Sequence, residues 1–159
     1  MHFPHWRFWG LAPRFDPGEG ITVLEPEQPG PGWWVGACSA LFDPPSRTFY
    51  LYYRRRKPRE LGRGTDCYIA VSDDGVHFEP LWHLSKDALD SPSIEKGCLA
   101  RTLDGRWRLY ISYVDPADHR WRTDVLEAEA PDRFDPERRW KVFTAEDVGV
   151  EGVKDPYLI

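Results

Sequence analysis

Apolar and aromatic residues come in short runs along this chain, separated by turn-forming residues, and no stretch keeps the spacing of a helix. Such runs are expected to form strands. Trp33–Phe42 reads as a first strand, and Asp43-Pro44-Pro45-Ser46-Arg47 as the turn that ends it. Phe49–Tyr53 is a second strand, followed by a basic loop from Arg54 to Asp66. Cys67–Val71 is a third, closed by Ser72-Asp73-Asp74-Gly75, where glycine can take a positive φ. Phe78–Leu81 begins a fourth. The rhythm then restarts with strands over Ile94–Arg101, Trp107–Tyr113, Asp124–Ala128 and Trp140–Phe143, with turns at Asp104-Gly105 and Pro131–Pro136.

Leu51, Tyr52 and Phe78 recur as Leu109, Tyr110 and Phe134, a period of about 56–60 residues. Two copies of a four-strand unit fit successive propeller blades with long loops, or the two sheets of a sandwich. The identical strand order in each copy favours the propeller. The expected architecture is therefore all-β: blades of four antiparallel strands, with residues 33–90 as blade one and 91–148 as blade two. Residues 149–159 would start blade three, so about two and a half blades of a larger ring are expected. Residues 1–32, rich in Pro and Gly, form an N-terminal arm. Its Ile21–Leu24 run is expected to be a strand that pairs with something distant and closes the ring.

Composition narrows the class. With 159 residues, 41% hydrophobic and 30% charged, the chain can bury a core and is globular. Its 14% aromatic content, including 8 Trp, suits strands and flat ligands such as sugar rings. A net charge of -5 disfavours a nucleic-acid partner. No apolar run approaches the roughly 20 residues of a membrane span, and the first residues do not read as a signal peptide. Cys38, Cys67 and Cys98 are an odd number without a CxxC pair. They are expected to be small buried strand residues in a reducing, cytoplasmic setting. His2 and His5 sit at a terminus and are not expected to hold a metal.

Two acids stand out because each interrupts an apolar strand-like run. Glu95 lies in Ser91-Pro92-Ser93-Ile94-Glu95-Lys96-Gly97-Cys98-Leu99, and Asp155 in Val153-Lys154-Asp155-Pro156-Tyr157-Leu158-Ile159. They are about one repeat apart, as equivalent positions in adjacent units should be. Glu95 fits a catalytic carboxylate, a solvated strand end or a salt bridge with Lys96. Asp155 fits a catalytic carboxylate or a turn residue before Pro156. Arg54 follows a strong strand and could hold a carboxylate or a phosphate. Trp33, Trp34 and Trp121 could stack on sugar faces or simply pack. Neither a phosphate-binding glycine loop, a GxSxG elbow nor a zinc-spaced ligand set is present in the sequence.

Three motifs carry a family resemblance: Ser72-Asp73-Asp74-Gly75-Val76-His77-Phe78, Asp104-Gly105-Arg106-Trp107-Arg108-Leu109-Tyr110 and Lys154-Asp155-Pro156-Tyr157-Leu158-Ile159. In this order the chain from Trp33 to Ile159 resembles the five-bladed β-propeller glycosidases, the superfamily of glycoside hydrolase families 43, 32, 68 and 130. The resemblance implies an axial site with three carboxylates from three blades, serving as base or nucleophile, pKa modulator and acid. It implies that Asp155-Pro156 matches an Asp-Pro motif on an inner strand, and that Glu95 holds the comparable place one blade earlier. It implies a carbohydrate substrate; the residues themselves lead us to expect no cofactor and no metal. Blade one departs from the pattern, because Val35–Leu41 contains no acid.

The expected function is hydrolysis of glycosidic bonds by carboxylate acid/base chemistry, with burial beside Trp and apolar residues raising one pKa for the acid role. A phosphate-dependent glycoside phosphorylase and a propeller that binds glycans without cleaving them remain alternatives. Open blade edges would favour self-association.

Overall fold

The strand-like runs fold into two four-stranded antiparallel sheets. The computed structural model describes residues 16–62 and 64–158; His2 and His5 lie outside the described residues. The first sheet contains β1 (Trp34–Asp43), β2 (Thr48–Arg56), β3 (Asp66–Ser72) and β4 (Glu79–Ser85), paired in chain order. The second contains β5 (Cys98–Arg101), β6 (Trp107–Val114), β7 (Trp121–Ala128) and β8 (Arg139–Phe143), also in chain order.

Side chains alternate between the two faces of a strand, and the alternation in β2 shows how the sheets stack. Tyr50 and Tyr52 enter the main core, which fills the space between the sheets with Ile69, Leu109, Ile111 and Leu126. Leu51 and Tyr53 point the other way, into a smaller cluster with Ala70. The central strand is therefore apolar on both faces, as expected of a sheet covered on both sides. Two polar links reinforce the packing between sheets. Arg101 grips both carboxylate oxygens of Asp43 at 2.7 and 2.8 Å, and the Trp82 indole donates to the Phe134 carbonyl at 3.1 Å.

The Ser72–Gly75 turn forms as its residues dictate. Ser72 Oγ accepts from the Asp74 and Gly75 amides, Asp74 Oδ1 accepts from the Val76 and His77 amides, and Gly75 has φ 77°.

Several sequence expectations need correction. Ile21–Leu24 forms no strand; Leu24 instead packs on the smaller core cluster, where side-chain burial rather than a hydrogen-bond ladder holds it. Arg54, Arg55 and Arg56 are not loop residues. They pair with Gly36, Val35 and Trp34 and extend β2. The strand expected from Ile94 is assigned only from Cys98, because Glu95–Gly97 leave the ladder after a single Ile94–Tyr113 bridge. Val153–Leu158 makes no ladder and is assigned no strand. Cys67 and Cys98 are buried as expected, but Cys38 is exposed at an irregularity in β1 between Gly36 and Ser39, where Ala37 takes φ 53°. One short helix, α1 (Ala145–Val148), was not expected. Thr144 and Asp147 form a capping box at its start, a Thr-x-x-Asp pattern present in the sequence.

Candidate functional site

The segment that carries Glu95 is stitched into place from both sheets. Ser91 Oγ accepts from the Ser93 and Val114 amides at 3.2 and 3.1 Å and shares its one proton between the carbonyls of the same two residues, 2.9 and 2.8 Å away, which turns the chain at Pro92. The Ile94 amide donates to the Gly64 carbonyl, in the loop that leads into β3, at 3.0 Å, and the Glu95 amide to the Ser112 carbonyl of β6 at 2.8 Å. The approach at Gly64 requires glycine: φ is 61°, and a Cβ there would lie 2.3 Å from Ser93 Oγ.

At this junction Arg54 meets Glu95. A guanidinium nitrogen lies 2.8 Å from Glu95 Oε2, and the other terminal nitrogen donates to the Ile94 carbonyl. Tyr52, fully buried, donates its hydroxyl to the Glu95 carbonyl at 2.8 Å. Arg54 and Glu95 are only 4% and 9% exposed, so this is a buried pair that joins the two sheets. Breaking such a pair by removing one partner typically costs about 3–5 kcal/mol, because a charge stays buried alone. Arg54 Nε is buried without a hydrogen-bond partner. The indole of Trp34 covers the guanidinium, 5.4 Å from ring centre to Cζ. Gly36, opposite Arg54 on β1, makes room: a Cβ on it would meet the indole at 2.8 Å.

Glu95 thus faces a guanidinium at this junction. Burial pushes the Tyr52 phenol well above its ordinary value and the neighbouring Cys67 thiol up to about 12. Both stay neutral near pH 7, so Tyr52 serves as a donor and Cys67 as a small apolar residue.

Asp155 is placed differently. Its amide donates to Ser112 Oγ at 3.1 Å, while its side chain is 44% exposed and 3.8 Å from the Lys154 ammonium. It takes φ 63° immediately before Pro156, a conformation that Asp tolerates better than most residues but a following proline disfavours. Beyond it, Tyr157 and Leu158 lie against Ser39–Leu41 of β1 and Cys98–Arg101 of β5, around a groove of about 360 Å³. The two acids are therefore not in one ladder, but both backbones are anchored on one residue, Ser112.

The aromatic candidates separate. Trp34 belongs to the Arg54–Glu95 cluster. Trp33 opens with Trp34 on a neighbouring cleft of about 350 Å³ that also includes Arg56, Lys57 and Arg59. Trp121 is taken up by the tail: the Val153 amide bonds its carbonyl at 2.9 Å, and Lys154 sits 5.2 Å from its ring centre. Among the described residues there is no group of three or more His, Cys, Asp or Glu placed to hold a metal ion.

Sequence reasoning missed Ser112, Tyr52, Gly36 and Gly64. The repeat held the signal for two of them. The offset that matches Leu51 to Leu109 also matches Arg54 to Ser112, and both touch the segment that follows their own sheet. Gly36 pairs with Arg54 as Glu95 pairs with Ser112, so Gly36 is the blade-one counterpart of Glu95.

Two successive four-stranded antiparallel sheets, stacked face to face with their first strands adjacent, are blades of a β-propeller. No family model matches the sequence, and no curated protein matches it. Solved structures of propeller glycoside hydrolases do share the fold. A glycoside hydrolase family 43 enzyme from Xanthomonas citri, complexed with xylotriose, matches over 65% of this chain and 32% of its own, with TM-score 0.53 and 16% identity. A protein from a study of family 130 mannoside phosphorylases and hydrolases of β-1,2-mannosidic linkages in Candida mannan matches over 70% and 32%, with TM-score 0.52 and 17% identity. An exo-β-1,3-galactanase from Clostridium thermocellum matches over 73% and 26%, with TM-score 0.52 and 17% identity. The chain thus spans about a third or less of the length of these three structures. Among the described residues no helix is long and apolar enough to cross a membrane.

Proposed function

We propose that the protein acts on glycosidic bonds of oligo- or polysaccharides by carboxylate chemistry, as part of a five-bladed propeller. Residues 33–90 are blade one, 91–148 blade two, and 149–159 lead into blade three. The observation that carries this reading is the buried Arg54–Glu95 pair at the junction of two blades, in a fold shared with glycoside-active enzymes. Glycoside cleavage needs one carboxyl to protonate the leaving oxygen and a second to act as base or nucleophile. Glu95, held in place by Arg54, is one of these carboxyls. Asp155, anchored on the same Ser112, is the second carboxyl. Arg54 orients Glu95, and Trp34 offers its indole beside them. Free thiols at Cys38, Cys67 and Cys98 agree with a reducing compartment such as the cytoplasm.

A specific observation favours a second reading, a propeller that binds glycans without cleaving them. Gly36 stands where blade one would carry an acid, and the Trp34 indole covers it. The phosphorylase variant finds less support, because the Arg54 guanidinium that would hold phosphate is already occupied by Glu95 and the Ile94 carbonyl.

The test is a screen of the complete protein against xylo-, manno- and galacto-oligosaccharides, with and without inorganic phosphate. Cleavage independent of phosphate supports the hydrolase. Binding without products supports the second reading, and strict phosphate dependence the phosphorylase. Neither binding nor cleavage across the panel would sink the carbohydrate reading.

A further inference from the structure

Ser112 offers two different atoms to the two candidate acids. Its carbonyl accepts the Glu95 amide at 2.8 Å, and its hydroxyl accepts the Asp155 amide at 3.1 Å. Ser112 is fully buried in the middle of β6. Its hydroxyl also lies 3.1 Å from Thr123 Oγ1, directly across on β7, and Thr123 Oγ1 lies 3.5 Å from the Val153 carbonyl. A hydroxyl has one proton to give. One assignment satisfies every group: the Asp155 N–H donates to Ser112 Oγ, Ser112 Oγ–H to Thr123 Oγ1, and Thr123 Oγ1–H to the Val153 carbonyl. The relay leaves and returns to the same tail segment.

The segment needs such a fastening. Residues 153–158 make no strand ladder, and Asp155 holds a positive φ before a proline, which persists only where surroundings impose it. The neighbouring cross-strand pairs on this sheet face, Tyr110 with Val125 and Arg108 with Glu127, could not supply a small hydroxyl relay. Ser112 also occupies the place of Arg54 one repeat earlier, which holds Glu95.

We propose that Ser112 is a positioning residue that sets Asp155 relative to Glu95, with Thr123 as its relay partner. The proposal deepens the glycoside-acting reading and rests on it for its catalytic consequence. Its structural half stands apart, because the hydroxyl can be removed while the carbonyl that anchors Glu95 remains.

The experiment compares Ser112→Ala and Thr123→Val with the wild type in the complete protein, by amide hydrogen exchange and by steady-state kinetics on the best substrate of the oligosaccharide panel. Ser112→Ala is expected to speed exchange at the Asp155 amide about tenfold, the loss of one hydrogen bond, and to leave Glu95 unchanged. Thr123→Val is expected to speed Asp155 exchange less. Misplacing Asp155 is expected to lower kcat about 10–100-fold with KM little changed. Unchanged Asp155 exchange in Ser112→Ala would overturn the proposal. So would equal loosening at Glu95 and Asp155, which marks general destabilisation, and so would faster Asp155 exchange with kcat intact. If the wild type neither binds nor cleaves any glycan in the panel, the functional reading fails, and the exchange comparison alone decides whether Ser112 fastens Asp155.

Discussion

The two sheets use one register position in two ways. On β2 that position is Arg54, and it reaches into the next unit to grip a carboxylate, Glu95, in a buried ion pair. On β6 it is Ser112, and it reaches into the next segment to grip a backbone amide, that of Asp155, leaving the carboxylate half exposed. The first joint commits its acid to a fixed partner. The second fixes where the chain runs and leaves its acid free to meet something else. A repeat can thus keep the geometry of a joint while changing which part of the acid it holds.

The largest effect should come from breaking the ionic joint. Arg54→Ala leaves Glu95 buried without its cation and is expected to cost about 3–5 kcal/mol in urea unfolding, whereas replacing both partners together with Met and Leu should cost much less. Equal losses in the two experiments would mean that the pair is not what ties the sheets. Acid should weaken the fold next, both at the contact between sheets and at the β6–β7 connection. Burial raises the Asp43 carboxyl, but its bonds to Ser46 and Arg101 outweigh this and hold it below the usual range. Asp115 is likewise raised by burial, and held low overall by the Ala117 amide and Arg122. Each therefore contributes stability that is present above the unfolded value of about 4 and is lost as pH falls through the lower folded value. Thermal melts from pH 7 to pH 3 should show this decline, and Asp43→Asn should flatten it. A smaller effect is expected at Gly36→Ala, where the new methyl forces the Trp34 indole off Arg54 at about 1–3 kcal/mol. Displacement of the indole from the guanidinium should change the intrinsic tryptophan fluorescence relative to the wild type; an unchanged spectrum would detach Trp34 from the joint.

Much of the fold was legible in the sequence, and particular residues show why. Aromatic and β-branched runs between Asp-Pro and Asp-Gly turns located the eight strands found among the described residues, because side-chain alternation and turn chemistry are local. The match of Leu51 to Leu109 held in space: Leu51 faces away from the second sheet and Leu109 faces the first, the same side of each blade. What failed was pairing that depends on distant partners. Ile21–Leu24 has the composition of a strand, yet takes only a packing role for Leu24. The basic stretch at Arg54 looked like a loop, because a guanidinium enters a core only when an acid waits there, and Glu95 is 41 residues away. Glu95 and Arg54 were each singled out, but their pairing was not. Ser112 gave no signal as a residue type; only its place in the repeat marked it.

The most direct test of the central claim is the turnover of Glu95→Gln in the complete protein. Glutamine keeps the size of the side chain and removes its charge. A folded protein is expected, with turnover reduced by about 10²–10⁴-fold, the usual contribution of a catalytic acid or base. A folded Glu95→Gln protein with wild-type turnover would contradict the claim.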